Sequence, residues 1–461
     1  MSSIATTRDA IIEVSSLALQ SLFTSNHKSK CRPASRSSNT SMSSISTMSS
    51  FGSNNSKPPN KETWKVRLQL AIAILEAASH GLCIRRWEET TVAKCSQLPL
   101  VLYHFKQHDK TRFRRNLRIG PTTFDILCSQ LLQHSVFTNR SYRNQLPIEF
   151  QVAIALYRFG HEGNGVSCES VAQWAGLSVG GVLKVTLRVI EAILSNQNAV
   201  RWVSEEEKEE AKQWVEQASG CQTWRDGYCM VDGTLIPLFA KPSFFGEAYF
   251  DRKSNYSLNV QLISLPNLRI IDYVVGHCGS AHDSTVFKDS RCVQEQQQLF
   301  TPKEWIWGDS AYTAQTWMVT PYKRPLSMQP DNRRFNYHLS KVRVRSEHAV
   351  GFLKGRFASL SGLRIQIRDA DSHIAALSWI RACIILHTLI FWIENGHEDW
   401  QEQQGMILKG RELGGEDSDD FEEGPIRVQS IPSNQTLRDV LSESPALRKR
   451  NELKRALLSI S

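Results

Sequence analysis

Between residues 222 and 322 the apolar positions fall in short runs bounded by turn residues, the pattern of β-strands; elsewhere they recur at helical spacing. Tyr228-Cys229-Met230-Val231 is one such run, and it delivers Asp232-Gly233-Thr234 at its end. Residues 255–265 and 269–276 follow, joined through Pro266-Asn267, a turn pair that predicts a hairpin. His282-Asp283-Ser284 breaks the pattern before Trp305-Ile306-Trp307, a strand-like run that again ends on an acid, Gly308-Asp309. Residues 304–308 are expected as a buried parallel neighbour of the strand ending at Asp232, and residues 317–321 as a last strand. The expected core is α/β, a mixed sheet with helices on its faces.

Upstream the period is helical over residues 64–78, 99–105 and 113–132, with Thr122 or Thr123 as a candidate cap. Residues 147–160 read as a helix begun by proline. Residues 168–174, the turn Ala175-Gly176-Leu177 and residues 178–194 make a helix-turn-helix outline, with Ser178, Gly180 and Lys184 near the start of the second helix. That outline also occurs in helical bundles that never touch DNA. Residues 205–210, rich in glutamate, read as a solvated face or linker. Residues 374–393 are the most apolar stretch, but Arg381 and His387 stand near its middle. A charge there costs roughly 2.5–3.5 kcal/mol in lipid, so a buried core helix is the reading and no membrane is expected. Residues 447–460 suit a basic amphipathic helix docked on a partner or on DNA, or equally a frayed tail.

Composition divides the 461 residues further. Residues 1–60 are dominated by Ser, Asn and Thr and are expected to be disordered. Lys28, Lys30, Arg32 and Arg36 within them fit a solvated linker better than a nuclear targeting signal. The expected domains are a helical, DNA-binding one over 61–200, a catalytic one over 201–395, and a polar, acidic tail over 396–461 with a possible terminal helix. A net charge of +9 favours a polyanionic partner. Ten cysteines without a CxxC pair point to neither a zinc framework nor a disulfide array, and suit a reducing compartment.

The acids change the picture most. Asp232, Asp283, Asp309 and Glu347 sit after strand-like runs or within a helix, on elements that can pack side by side. Hard oxygen ligands of this kind suit Mg²⁺ or Mn²⁺, and clustered carboxylates repel one another unless a cation neutralises them. Singly, Asp-Gly and Asp-Ser are ordinary turn or cap dipeptides. On the helical segment 339–360, Arg343 and Lys354 share the face of Glu347. An Arg343–Glu347 pair is the plain account of that glutamate; a metal ligand flanked by phosphate-binding cations is the functional one. Residues 323–356 carry nine Lys or Arg against Asp331 and Glu347, a basic surround for an acidic site.

Val231-Asp232-Gly233-Thr234, Gly279-Ser280-Ala281-His282-Asp283-Ser284 and Gly308-Asp309-Ser310-Ala311-Tyr312 stand in series with Phe335-Asn336, Leu339-Ser340, Arg343, Glu347 and Lys354-Gly355-Arg356-Phe357. Over residues 100–395 this series resembles the PIF/Harbinger-type transposases of the DDE endonuclease superfamily. The resemblance implies an RNase H-like core in which Asp232, Asp309 and Glu347 are the catalytic triad and Asp283 a further metal ligand. Beside them, Arg343, Lys354 and Arg356 are expected on DNA, as are Ser178 and Lys184 of the helix-turn-helix. Leu386-His387-Thr388 departs from the family's Leu-His-Asn, which puts a local helix contact in doubt. The implied function is metal-dependent cleavage and joining of duplex DNA in the nucleus, with the cytoplasm as the alternative location, by a homo-oligomer and with a possible DNA-binding partner protein. A host-retained, non-catalytic DNA-binding or scaffolding protein on the same fold is the alternative.

Overall fold

The sheet has five strands in the order β3-β2-β1-β4-β5. They are β1 (Gly227–Pro237), β2 (Ser257–Ser264), β3 (Ile270–Cys278), β4 (Trp305–Trp307) and β5 (Met318–Val319). β1, β2 and β3 form an antiparallel meander, while β4 joins the other side of β1 in parallel and β5 joins β4 in parallel. This is the RNase H-like arrangement. The computed structural model describes residues 95–139, 142, 144–394, 405–410 and 444–460, all within one compact unit. The expectations for residues 1–60 and 64–78, and for most of the acidic tail, lie outside the described residues.

Both faces of the sheet are covered. Every residue of β2, the strand between β3 and β1, is buried. Val231, Ile263, Ile271 and Ile306 pack with Phe287, Phe300 and Tyr312 in one cluster. Met230, Trp305 and Trp307 pack with Phe335, Leu339 and Val342 in another. β1 does not end at Asp232 as expected. It runs on to Pro237, because its antiparallel pairing with β2 continues after the parallel pairing with β4 stops at Met230↔Trp307.

Among the described residues, the longer helices that precede the sheet are α1 (Lys110–Leu117), α2 (Pro121–Leu132), α3 (Ile148–Gly160), α4 (Cys168–Ala175), α5 (Val179–Leu194) and α6 (Glu205–Ser219). Thr123 does not cap α2; Gly120 holds the cap position, Pro121 fills the first turn, and the Thr123 hydroxyl donates to Glu394 at 3.1 Å. Gly176, at φ +70°, turns the chain from α4 towards α5, whose cap Ser178 accepts from the Gly181 N–H at 3.1 Å. Residues 205–210 are the first turns of α6 rather than a linker. Ser204 and Glu207 form a reciprocal capping box, and the acids face the positive helix end.

Three long helices follow among the described residues: α7 (Pro330–Arg356), α8 (Ala370–Glu394) and α9 (Pro445–Leu458). By length and composition α8 is apolar enough to cross a membrane, yet it runs through the centre of the molecule. Trp379 meets Phe159 edge-on at 4.8 Å, the Arg158 guanidinium lies 4.8 Å from the Trp379 ring, and the Trp379 indole donates to Ser359 at 3.1 Å. The helical layer and the sheet thereby share one core, to which each fully buried Leu, Ile, Val or Phe contributes about 1.5–3 kcal/mol. α9 is docked on the chain's own parallel sheet edge rather than on a partner. Leu453 and Leu457 join the tryptophan cluster, the Trp224 indole donates to the Leu453 carbonyl at 3.0 Å, and Arg450 stacks over Tyr322 at 4.0 Å.

Candidate active site

The acids are brought to one end of the sheet by three elements. Asp232 lies on β1 just past its last pairing with β4, where the two strands begin to part. Asp309 follows β4 two residues later, and its carboxylate accepts from the Ala311 N–H at 2.8 Å, closing the turn that starts at Gly308. A Cβ on Gly308 would stand 2.7 Å from the Met318 sulfur and 3.0 Å from the Tyr312 ring, so a larger residue in the turn would have to displace the methionine side chain. Asp283 opens the short helix Asp283–Val286 beyond β3.

Tyr312 reports on how these groups converge. Its hydroxyl is buried and donates to the Gln261 side-chain carbonyl. Burial holds the phenol well above its ordinary range; Asp232, Asp309 and Asp283 push it further the same way, and Arg343 pulls it back. Three carboxylates and one guanidinium thus act on a single buried oxygen.

Glu347 is placed by the course of α7. The N-terminal half of that helix packs Phe335, Leu339 and Val342 with Met230 and Trp224, while Lys354 near its other end donates to the Leu235 carbonyl at 3.2 Å. The helix therefore runs alongside β1 in the same direction. Glu347 lies two turns before Lys354 on this helix, with Arg343 one turn earlier still. All four acids are half-buried.

The donor chemistry, carboxylates without thiolates, fits a hard divalent cation. Among the described residues, however, no three His, Cys, Asp or Glu side chains are drawn close enough to form a ready-made metal cage.

The cations expected on DNA divide. Lys184 and Ser178 are exposed on α5, although the Ser178 hydroxyl is committed to capping. The outward arc of α5 also presents Val179, Leu183 and Leu187, more apolar than a helix laid along phosphates. Arg343 is half-buried beside the acids. Lys354 and Arg356 are instead turned inward, 2% and 1% exposed, the first onto the β1 backbone and the second onto Glu394 of α8 at 3.3 Å. Wedging the end of α7 between the sheet and α8 removes both from any phosphate. His387, in the motif that departs from the family, is buried against Phe352 at 4.8 Å, and burial beside Arg356 lowers its pKa well below the usual range.

Sequence reasoning passed over Tyr312, Gln261 and Asn259. A signal existed: Asn259 and Gln261 are alternate amides in a strand otherwise reading Leu258, Val260, Leu262, Ile263, and an amide inside a buried strand needs a partner.

Residues 231–388 match the family model described as DDE superfamily endonuclease. That segment is similar to the DDE superfamily endonucleases. The protein named ALP1-like of Arabidopsis thaliana is 26% identical over 327 residues, covering 66% of this chain and 77% of its own. The proteins carrying the nuclease name HARBI1 are each 26% identical over 156 residues in Bos taurus and in Homo sapiens. Those matches cover 33% of this chain and 42% of either relative. No solved structure matches.

Proposed function

We propose that the chain is a divalent-metal-dependent endonuclease of transposase type, cleaving duplex DNA and joining strands in the nucleus. The observation that carries the reading is the placement of Asp283 against the backbone next to Asp232, where a Cβ on Gly233 would stand 2.7 Å from its Oδ1, with Tyr312, three residues after Asp309, bonded to the Gln261 that holds Asp283. Asp232, Asp309 and Glu347 would be the ligands of Mg²⁺ or Mn²⁺, with Asp283 alongside. Bound there, the metal supplies Lewis-acid stabilisation of charge at a scissile phosphate and a more acidic attacking water or hydroxyl. The chain's own residues hold the ligand oxygens in place, and Arg343 offers a guanidinium to the phosphate oxygens. The exposed cations Arg333, Arg334 and Lys341 of α7 and Lys184 of α5 are candidates to hold the DNA backbone by charge. Homo-oligomerisation on DNA, and a partner protein that reads sequence, belong to the same reading.

A second reading keeps the fold and the DNA binding without cleavage. Incubating the purified chain with supercoiled DNA and Mg²⁺ or Mn²⁺ separates the two. Metal-dependent nicking lost in Asp309→Asn, with DNA binding retained, supports the endonuclease. Tight DNA binding with no nicking in either metal supports the non-catalytic protein.

A further inference from the structure

Asp283 is held by a closed network of side chains that the catalytic series does not include. Its Oδ1 accepts from the Asn259 amide at 2.9 Å and from the Gln261 amide at 2.8 Å. Gln261 also donates to the Asn259 side-chain carbonyl at 2.9 Å, and Asn259 donates to the Ala281 carbonyl at 3.0 Å. The remaining Gln261 oxygen accepts from Tyr312. Both amides therefore spend both N–H groups and their oxygen, so neither can flip without breaking several bonds. Asn259, Gln261 and Tyr312 are 2%, 0% and 3% exposed, so no water competes for these bonds.

The network lies directly over the backbone next to Asp232. A Cβ on Gly233 would stand 2.6 Å from the Gln261 amide nitrogen and 2.7 Å from Asp283 Oδ1. Glycine after Asp232 is thus required by the path of these side chains.

We propose that Asn259, Gln261 and Tyr312 are positioning residues that fix the Asp283 carboxylate beside Asp232, reserving its Oδ2 for a divalent cation. The proposal rests on the metal-nuclease reading. Its physical content is that two donors saturate Oδ1 and set the carboxylate plane, while the Tyr312 donor dictates which end of Gln261 faces Asp283. Groups that orient a ligand in this way change metal affinity by about 10–100-fold when removed.

The test titrates Mn²⁺ into the full chain, following free Mn²⁺ by electron paramagnetic resonance, alongside thermal melting and metal-free DNA binding. Gln261→Met keeps the volume and removes the donors; about 10–100-fold weaker Mn²⁺ binding is expected, with metal-free DNA affinity unchanged. Tyr312→Phe removes one oxygen and is expected to weaken Mn²⁺ binding less, in the same direction. It carries the test if Gln261→Met fails to fold. Wild-type Mn²⁺ affinity in both variants, whatever their melting temperatures, overturns the positioning role and leaves the nuclease reading standing. If the wild type takes up no Mn²⁺ that Asp232→Asn and Asp309→Asn abolish, the nuclease reading fails and the proposal falls with it.

Discussion

The two halves of α7 both carry cations but have opposite surroundings. From Asp331 to Lys341 the cations Arg333, Arg334 and Lys341 face solvent, and only Asn332, Phe335, Asn336 and Leu339 turn inward. From Ala349 to Arg356 every residue is buried, Lys354 and Arg356 included. One half is a charged surface laid over a tryptophan cluster; the other is a core helix that happens to carry charge. The difference teaches that a count of cations in a window measures charge but not where the charge points. The neighbour that decides the matter, Glu394, lies on another helix.

The contrast breaks hardest at Arg356. Removing one partner of a buried ion pair strands the other, so Arg356→Ala should destabilise the chain by about 3–5 kcal/mol in chemical denaturation. The double variant Arg356→Met with Glu394→Leu should recover much of that loss. A surface-like effect under 0.5 kcal/mol for the single variant would erase the distinction between the halves.

Lys354→Met comes next. It keeps the buried stem and loses the bond to the Leu235 carbonyl, for an expected cost of about 1–3 kcal/mol. The slope of log DNA affinity against log salt should not move, because the ammonium never reaches a phosphate; a flatter slope would show that the helix end opens on DNA.

Acid probes the buried half from another side. His387 has its pKa depressed in the fold, by burial first and by Arg356 second. At neutral pH both folded and unfolded chains hold it uncharged. Below about pH 6.5 only the unfolded chain takes up the proton, so stability present above that pH is lost as pH falls, by about 1.4 kcal/mol per pH unit for one group. His161, lowered to about 4 by burial first and then by Arg118, adds to the loss down to that pH. His387→Met should flatten the decline seen by denaturant titration at several pH values; an unchanged decline would assign it to other groups.

The exposed half gives the smallest effect on stability and the clearest on binding. Arg334→Ala and Lys341→Ala should each leave stability within about 0.5 kcal/mol. Each should also flatten the salt slope for duplex DNA by about 0.9, the share of one phosphate-bound cation. Unchanged slopes in both would move the DNA path off α7.

Much of this architecture was legible in the chain. Short apolar runs located β1 to β5 because a buried strand needs an unbroken apolar sequence, and each of Asp232 and Asp309 follows such a run. What was not legible depended on partners distant in sequence. β1 outran its expected end because β2 continues to pair with it. Thr123 serves Glu394 instead of a helix cap, and Lys354 and Arg356 serve the β1 backbone and the same glutamate instead of phosphates. The Asn259–Gln261–Tyr312 network was missed for the related reason that no single stretch contains both the amides and the carboxylate they hold.

α9 carries a consequence for how the protein is made. Its Leu453 and Leu457 seal Trp224, Trp305 and Trp307, which are synthesised at least 140 residues earlier. During translation the parallel edge of the sheet must wait, with that indole cluster uncovered, until residues 445–458 leave the ribosomal tunnel. At about 5–20 residues per second that is an interval of roughly seven to thirty seconds in which the nascent chain presents an open, aggregation-prone edge. Ribosome-associated chaperones should bind this chain at the tryptophan-rich edge and release it only when the last helix arrives.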